Sequence, residues 1–167
     1  MRVNFFLPIC QKKTSEVEFG LCDDTPPPNR PAYIDIMDRS KWIATVQNAN
    51  KLEVIFTAID NCIDIKKTNG IDMESRCDGM LSYEDKIIFV ELKDRQKSGW
   101  LVKGEEQLRN IISIFASSND LNLYNSKAAY VANKSRPYIQ SGQMTRIQQF
   151  RNDTGFILMI QNIITLS

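Results

Sequence analysis

Asp78, Glu91 and Lys93 are two carboxylates and an amine that the local sequence directs toward one surface. A strand sends alternate side chains to one face, so Glu91 and Lys93 point the same way, about 6–7 Å apart. The segment RCDGMLSYEDKIIFVELKD (76–94) reads as two strand-like runs around a Glu84-Asp85 or Asp85-Lys86 turn, without the favoured Asn-Gly. With an even-numbered turn, facing residues have numbers that sum to an odd value, as 78 and 91 do. Asp78 and Glu91 therefore share a face. A two-residue turn at Glu84-Asp85 sets them directly opposite each other.

Charges beside an apolar sheet are costly unless they are paired or bind a metal. Two neighbouring carboxylates suit a hard cation such as Mg²⁺, or Mn²⁺ in its place, which takes oxygen ligands and keeps several waters. Such an ion polarises a phosphoryl oxygen and lowers the pKa of a bound water. Lys93 beside it would orient that water or stabilise developing charge, and the Leu92 backbone carbonyl offers a further ligand. The loop that follows, DRQKSGWLVKGEEQ, carries Arg95, Lys97 and Lys103 around Ser98-Gly99-Trp100. Cations with an aromatic beside a metal site suit phosphate contacts and base stacking. Lys134 and Arg136 form a second, weaker basic spot.

Composition narrows the alternatives. The chain of 167 residues has the length of one domain. Its net charge is +1, from 21 basic and 20 acidic residues, so any nucleic-acid contact must come from a local patch. There is no histidine, which removes triads that use an imidazole base. Cys10, Cys22, Cys62 and Cys77 form no CxxC pair, which argues against structural zinc. Scattered in this way, they fit small buried hydrophobes of a reducing cytoplasm. The apolar stretches at both ends are too short for a signal peptide or a membrane span, so the expectation is a soluble cytoplasmic protein with no membrane contact.

The elements that must position these residues follow from periodicity. EVEFGLC alternates like a strand, TPPPNRP (25–31) is an extended connector, and KWIATVQN (41–48) is β-like, together an N-terminal hairpin or edge-strand appendage. NKLEVIFTAIDNCI (50–63) spaces Leu52, Ile55, Ile59 and Cys62 as a helix with Asn50 as N-cap, although Val54, Phe56 and Thr57 favour a strand. KKTNGIDMES (66–75) is a polar turn region. The apolar run from Ile87 to Val90 predicts a central strand covered on both faces. GEEQLRNIISIFASSN (104–119) is a helix, with Glu105 and Glu106 favouring its N-terminal dipole. SKAAYVANK (126–134) is a strand, followed by a break at Pro137 and Gly142. QMTRIQQFRND (143–153) is a helix and FILMIQNIITL (156–166) a final strand. The class is α/β, a mixed sheet flanked by helices.

At Asp78-Gly79, Glu91-Leu92-Lys93 and Gln107-Leu108 the sequence resembles the PD-(D/E)XK nuclease superfamily. The resemblance covers roughly residues 50–132, which would form the core of a single domain over 1–167. Residues 1–49 would add strands and the Pro-rich connector, and 133–167 a helix and strand. It implies a restriction-endonuclease-like fold, metal-binding Asp78 and Glu91, a catalytic Lys93 serving the nucleophilic water, and Gln107 completing the site. It also implies a further acidic ligand on the preceding helix, for which Glu53 is the candidate and Asp60 the reserve. Cys77 stands where the family's name puts proline, and Ile111 where one branch has tyrosine.

The function so implied is metal-dependent hydrolysis of phosphodiester bonds, of DNA before RNA. A homodimer would help span a duplex, though no segment announces an interface. The alternatives are an RNA- or structure-selective nuclease, a nuclease fold that binds without cleaving, and an unrelated α/β interaction domain. Blander readings of single residues stay open. Glu91 and Lys93 would then be an exposed strand-end pair, Asp78-Gly79 a turn, Gln107 a polar residue bordering an apolar helix face, Glu53 a solvated helix residue, and Trp100 a core residue under a solvated loop.

Overall fold

A computed structural model describes residues 2–136 and 142–167. Its strands, in chain order, are β1 (Gln11–Thr14), β2 (Glu18–Cys22), β3 (Tyr33–Asp35), β4 (Ala44–Gln47), β5 (Val54–Ala58), β6 (Gly79–Tyr83), β7 (Lys86–Lys93), β8 (Ser126–Asn133), β9 (Ile157–Ile160) and β10 (Ile163–Thr165). Helix α1 (Trp100–Ser118) joins β7 to β8, and α2 (Met144–Thr154) precedes β9. The class is α/β, as the periodicity predicts.

The larger sheet has six strands in the order β1-β5-β6-β7-β8-β9. It is mixed: β1, β5, β6 and β7 run antiparallel in turn, while β7, β8 and β9 are parallel. A smaller sheet runs β10-β4-β2-β3. Alternation along β7 feeds two cores. Ile87 and Phe89 face α1, where they meet Leu108, Ile111, Ile112 and Phe115. Ile88, Val90 and Leu92 face the smaller sheet, where they meet Phe19, Leu21, Val46 and Ile164. β7 is thus covered on both faces, as its unbroken apolar run requires.

Several sequence expectations are corrected. Residues 50–63 do not form a helix capped by Asn50. Val54–Ala58 is strand β5, paired to both β1 and β6. The β-branched and aromatic residues there win over the helical spacing because Val54, Phe56 and Ala58 alternate into the core under the smaller sheet. Ile59, Ile63 and Ile65 then turn into the opposite core. The N-terminal strands are not one appendage: β1 is an edge of the main sheet, whereas β2, β3 and β4 belong to the other. The single final strand is two, β9 and β10, in different sheets. Between them the Asn162 side chain exchanges hydrogen bonds of 2.9 and 3.0 Å with the backbone of Asn133.

α1 begins at Trp100 rather than Gly104, behind Gly99 at φ +92°, so Glu105 sits beyond the first turn. It is buried and pairs with Arg109 at 3.0 Å and with Arg146 of α2, pinning the two helices rather than serving a dipole. Cys10 and Cys62 form a disulfide, so only Cys22 and Cys77 are free buried thiols. Two of the four cysteines therefore staple the start of β1 to the segment after β5. The predicted break at Pro137 lies outside the described residues.

Candidate active site and its basic cavity

The β6–β7 hairpin turns at Glu84-Asp85, pairing Tyr83 with Lys86 and Gly79 with Val90. One step further along that register Asp78 stands opposite Glu91, on the face turned to α1. Asp78-Gly79 is not a turn. Gly79 opens β6, and a Cβ there would lie 2.5 Å from the Phe56 ring, so glycine is what lets β5 pack beside the site. Asp78 Oδ2 accepts the Leu92 N–H at 2.7 Å. Leu92 thus meets Asp78 through its amide.

Glu91 and Lys93 are not an exposed pair, being only 3% and 7% exposed. Lys93 Nζ lies 2.7 Å from Glu91 Oε1 and donates to Gln107 Oε1 at 2.8 Å. The Gln107 amide in turn donates to the Arg76 carbonyl at 3.0 Å. Gln107 is therefore no mere border residue of its helix. It ties α1 to the lysine and to the chain just before Asp78. Gly104, one turn earlier on α1, allows this close approach, since a Cβ there would meet Val131 at 3.1 Å and Glu91 Cγ at 3.4 Å.

The carboxyls are crowded. Asp78, 7% exposed, stands within hydrogen-bonding reach of the carboxyls of both Glu91 and Asp23. Burial first, and then the charges of Glu91 and Asp23, hold Asp78 well above the ordinary carboxylate range. Burial pushes Glu91 up to about 7 against the pull of Lys93, and Asp23 is raised by burial too. Two ionised carboxylates cannot hydrogen-bond to each other, and Glu91 Oε2 is buried with no donor. A shared proton or a cation would relieve such an arrangement.

Asp23 is the residue that sequence reasoning missed. It follows β2 directly, so the smaller sheet delivers it to the edge of the hairpin. The adjacent carboxylates Asp23-Asp24 between a strand and a Pro-rich connector were its only signal. Glu53, the sequence candidate for a further ligand, stays out: it is exposed and pairs with Lys13 at 3.3 Å. With 50–63 a strand region rather than a helix, Glu53 loses the placement expected of it. Asp60, the reserve, pairs with Arg76 at 2.9 Å, close enough for its charge to raise Asp78 and Glu91.

The donor set fits a hard divalent cation in kind, with carboxylate oxygens, one of them an orphan, beside a lysine. Among the described residues, however, no group of three or more Cys, Asp or Glu side chains is arranged as it stands to hold an ion. A cation here would rest on the Asp78–Glu91 pair, with water and substrate oxygens supplying the remainder.

Beside Lys93 opens a cavity of about 630 Å³ lined by Lys93, Arg95, Lys97, Lys103, Trp100 and the residues between Arg95 and Trp100. All four residues that the sequence assigned to nucleic-acid contact, Arg95, Lys97, Trp100 and Lys103, line it. Trp100 is half-buried, one side against the main core and the other on the cavity. Asn133 shapes the rim, donating to the Arg95 carbonyl at 2.8 Å and accepting the Arg95 N–H at 3.2 Å. Arg136 donates to the Gln96 carbonyl at 2.7 Å, and Lys134 donates to the Ser40 carbonyl. The second basic spot is thus spent on holding loops.

No protein-family model, curated protein or solved structure matches this chain. Among the described residues no helix is long and apolar enough to cross a membrane.

Proposed function

We propose that this chain is a divalent-metal-dependent nuclease, hydrolysing phosphodiester bonds of DNA before RNA, with the PD-(D/E)XK residue set on a restriction-endonuclease-like core. One observation carries the reading. The Asp78–Glu91 carboxyl pair, the clamped Lys93 and the basic cavity lie side by side at the open end of the central β6–β7 hairpin. Asp78 and Glu91 would hold Mg²⁺ or Mn²⁺, with Asp23 as the nearest further carboxylate. Bound there, the ion supplies charge to a phosphoryl oxygen and a water of lowered pKa.

The chain's own residues do the rest. Lys93, held between Glu91 and Gln107, keeps its Nζ at a fixed point from which to orient a water and to stabilise charge developing on the phosphoryl group. Gln107 acts as a positioning residue, because it reaches the reacting atoms only through Lys93. Arg95, Lys97 and Lys103 draw the phosphate backbone toward the carboxyl pair. Enclosure by α1 keeps the electrostatics of the site strong.

A second reading, a nuclease-like module that binds without cutting, is favoured by the lack of a three-donor group among the described residues. The two separate on metal binding. Addition of Mn²⁺ to the wild-type protein should raise its melting temperature with saturable dependence on concentration. The double variant Asp78→Asn/Glu91→Gln should fold and show no such rise. A wild-type protein indifferent to Mg²⁺ and Mn²⁺ at millimolar concentration would leave only the binding module.

A further inference from the structure

We propose that the cavity beside Lys93 takes an unpaired nucleotide, with its base against Trp100, so that the site acts on single-stranded or frayed nucleic acid rather than on an intact duplex. The inference rests on the nuclease reading for its chemistry but not for its binding step.

Three observations point the same way. First, the cavity is concave and about 630 Å³, within the roughly 300–1,000 Å³ in which one ligand-sized group sits. A stacked, paired base cannot enter such a space, because its edges and faces are covered in the duplex. A base can reach it only when splayed out. Second, the lining combines four cations, Lys93, Arg95, Lys97 and Lys103, with one aromatic and no acidic residue. That is the pairing of backbone attraction and base stacking found in strand-binding grooves. Trp100 opens α1 behind Gly99 at φ +92°, half-buried against the main core while lining the cavity. Third, the net charge is only +1. A duplex binder typically sets about 6–10 cations along the phosphates, and the neighbouring Lys134 and Arg136 are committed to the Ser40 and Gln96 carbonyls. Arg95, Lys97 and Lys103 gather with Lys93 in one cavity and suffice for a short stretch of strand.

The geometry also orders the contacts. Lys93 belongs both to the cavity lining and to the carboxyl cluster. A phosphate held at the Lys93 side of the cavity therefore adjoins the Asp78–Glu91 pair, while the attached base extends toward Trp100.

The test is fluorescence anisotropy of labelled 12-nucleotide oligo(dT), oligo(rU) and a 12-base-pair DNA duplex, in EDTA, so that no metal or cleavage enters. Oligo(dT) should bind at least about ten-fold more tightly than the duplex, with a log–log salt slope of about −2 to −3 for three or four phosphate contacts. Trp100→Ala should weaken strand binding by about 5- to 100-fold, and Trp100→Phe, which keeps an aromatic face and the packing, should retain most of it. Lys97→Ala should weaken binding and shallow the salt slope. The oligo(rU) arm distinguishes the two strand chemistries: binding equal to oligo(dT) assigns the cavity to either strand, and weaker binding assigns it to DNA. Equal affinity for strand and duplex, or a folded Trp100→Ala protein with unchanged strand affinity, would overturn the proposal. Strand binding without any metal-dependent cleavage would uphold it while removing the nuclease reading. Cleavage of duplex by a protein indifferent to Trp100 would do the reverse.

Discussion

Gln107 Oε1 accepts a hydrogen bond from Lys93 Nζ at 2.8 Å, across the gap between helix α1 and strand β7. The bond links two residues that are 14 apart in sequence, and it lies beside a carboxyl pair that is buried. An amide is suited to the place because it accepts from the lysine while donating to the Arg76 carbonyl at 3.0 Å. A carboxyl there would add a fourth acidic group to Asp23, Asp78 and Glu91, with no amide left to donate to Arg76.

Replacing that amide should therefore separate position from fold. Gln107→Leu keeps the volume of the side chain and removes both hydrogen bonds. Phosphodiester cleavage is expected to fall by about 10–100-fold, the usual cost of losing a supporting partner at a metal site. Stability should drop by only about 1–2 kcal/mol. Gln107→Glu should bring the cleavage optimum to a different pH, since it puts a titrating group on Lys93, whereas a merely structural glutamine would leave the pH profile unmoved.

The carboxyl cluster makes the metal-free protein sensitive to pH in a definite direction. Glu91 rises from 4.5 to about 7 on folding, so between those values the folded state holds the proton more tightly than the unfolded chain. Its contribution to stability is thus present below about pH 4.5 and lost as pH rises through about 7, on the order of 3 kcal/mol. Asp78 moves in the same direction. Urea melts in EDTA should show the wild-type protein losing stability relative to Glu91→Gln as the pH is raised from 5 to 8. A difference that stays flat over that interval would mean that Glu91 is not held protonated by its surroundings.

The Cys10–Cys62 disulfide closes a loop spanning a sequence separation of 52 and fastens β1 to the segment that carries Asp60. Loop-closure entropy assigns such a link on the order of 4 kcal/mol. Cys10→Ser/Cys62→Ser should melt at a lower temperature than the oxidised protein. Dithiothreitol should lower the melting temperature of the wild type to match the variant and leave the variant itself unchanged.

How much of this was legible in the sequence depends on the range of the interactions. The hairpin register was readable because side chains alternate with period two and the turn at Glu84-Asp85 fixes the sum of facing residues. Asp78 opposite Glu91 follows from those local facts alone. The helix face of Leu108, Ile111, Ile112 and Phe115 was readable for the same reason, and Gln107 falls beside it. Residues 50–63 were misread because their apolar positions satisfy a helical spacing as well as a strand one. Only pairing with β1 and β6, residues that are distant in sequence, decides the matter. Asp23 was hidden for a related reason: it reaches the site from a second sheet, across a contact that no local pattern announces. The split of the final strand turns on Asn162 bonding to Asn133, and the disulfide on two cysteines brought together by the β1–β5 pairing. Both are long-range.

The most direct measurement is cleavage of plasmid, linear duplex and single-stranded DNA in Mg²⁺ or Mn²⁺, comparing the wild-type protein with Lys93→Ala. The account predicts metal-dependent cutting by the wild type, strongest on the single strand, and none by the folded variant. Cutting that survives in Lys93→Ala, or no cutting by the wild type in either metal at high protein concentration, would contradict it.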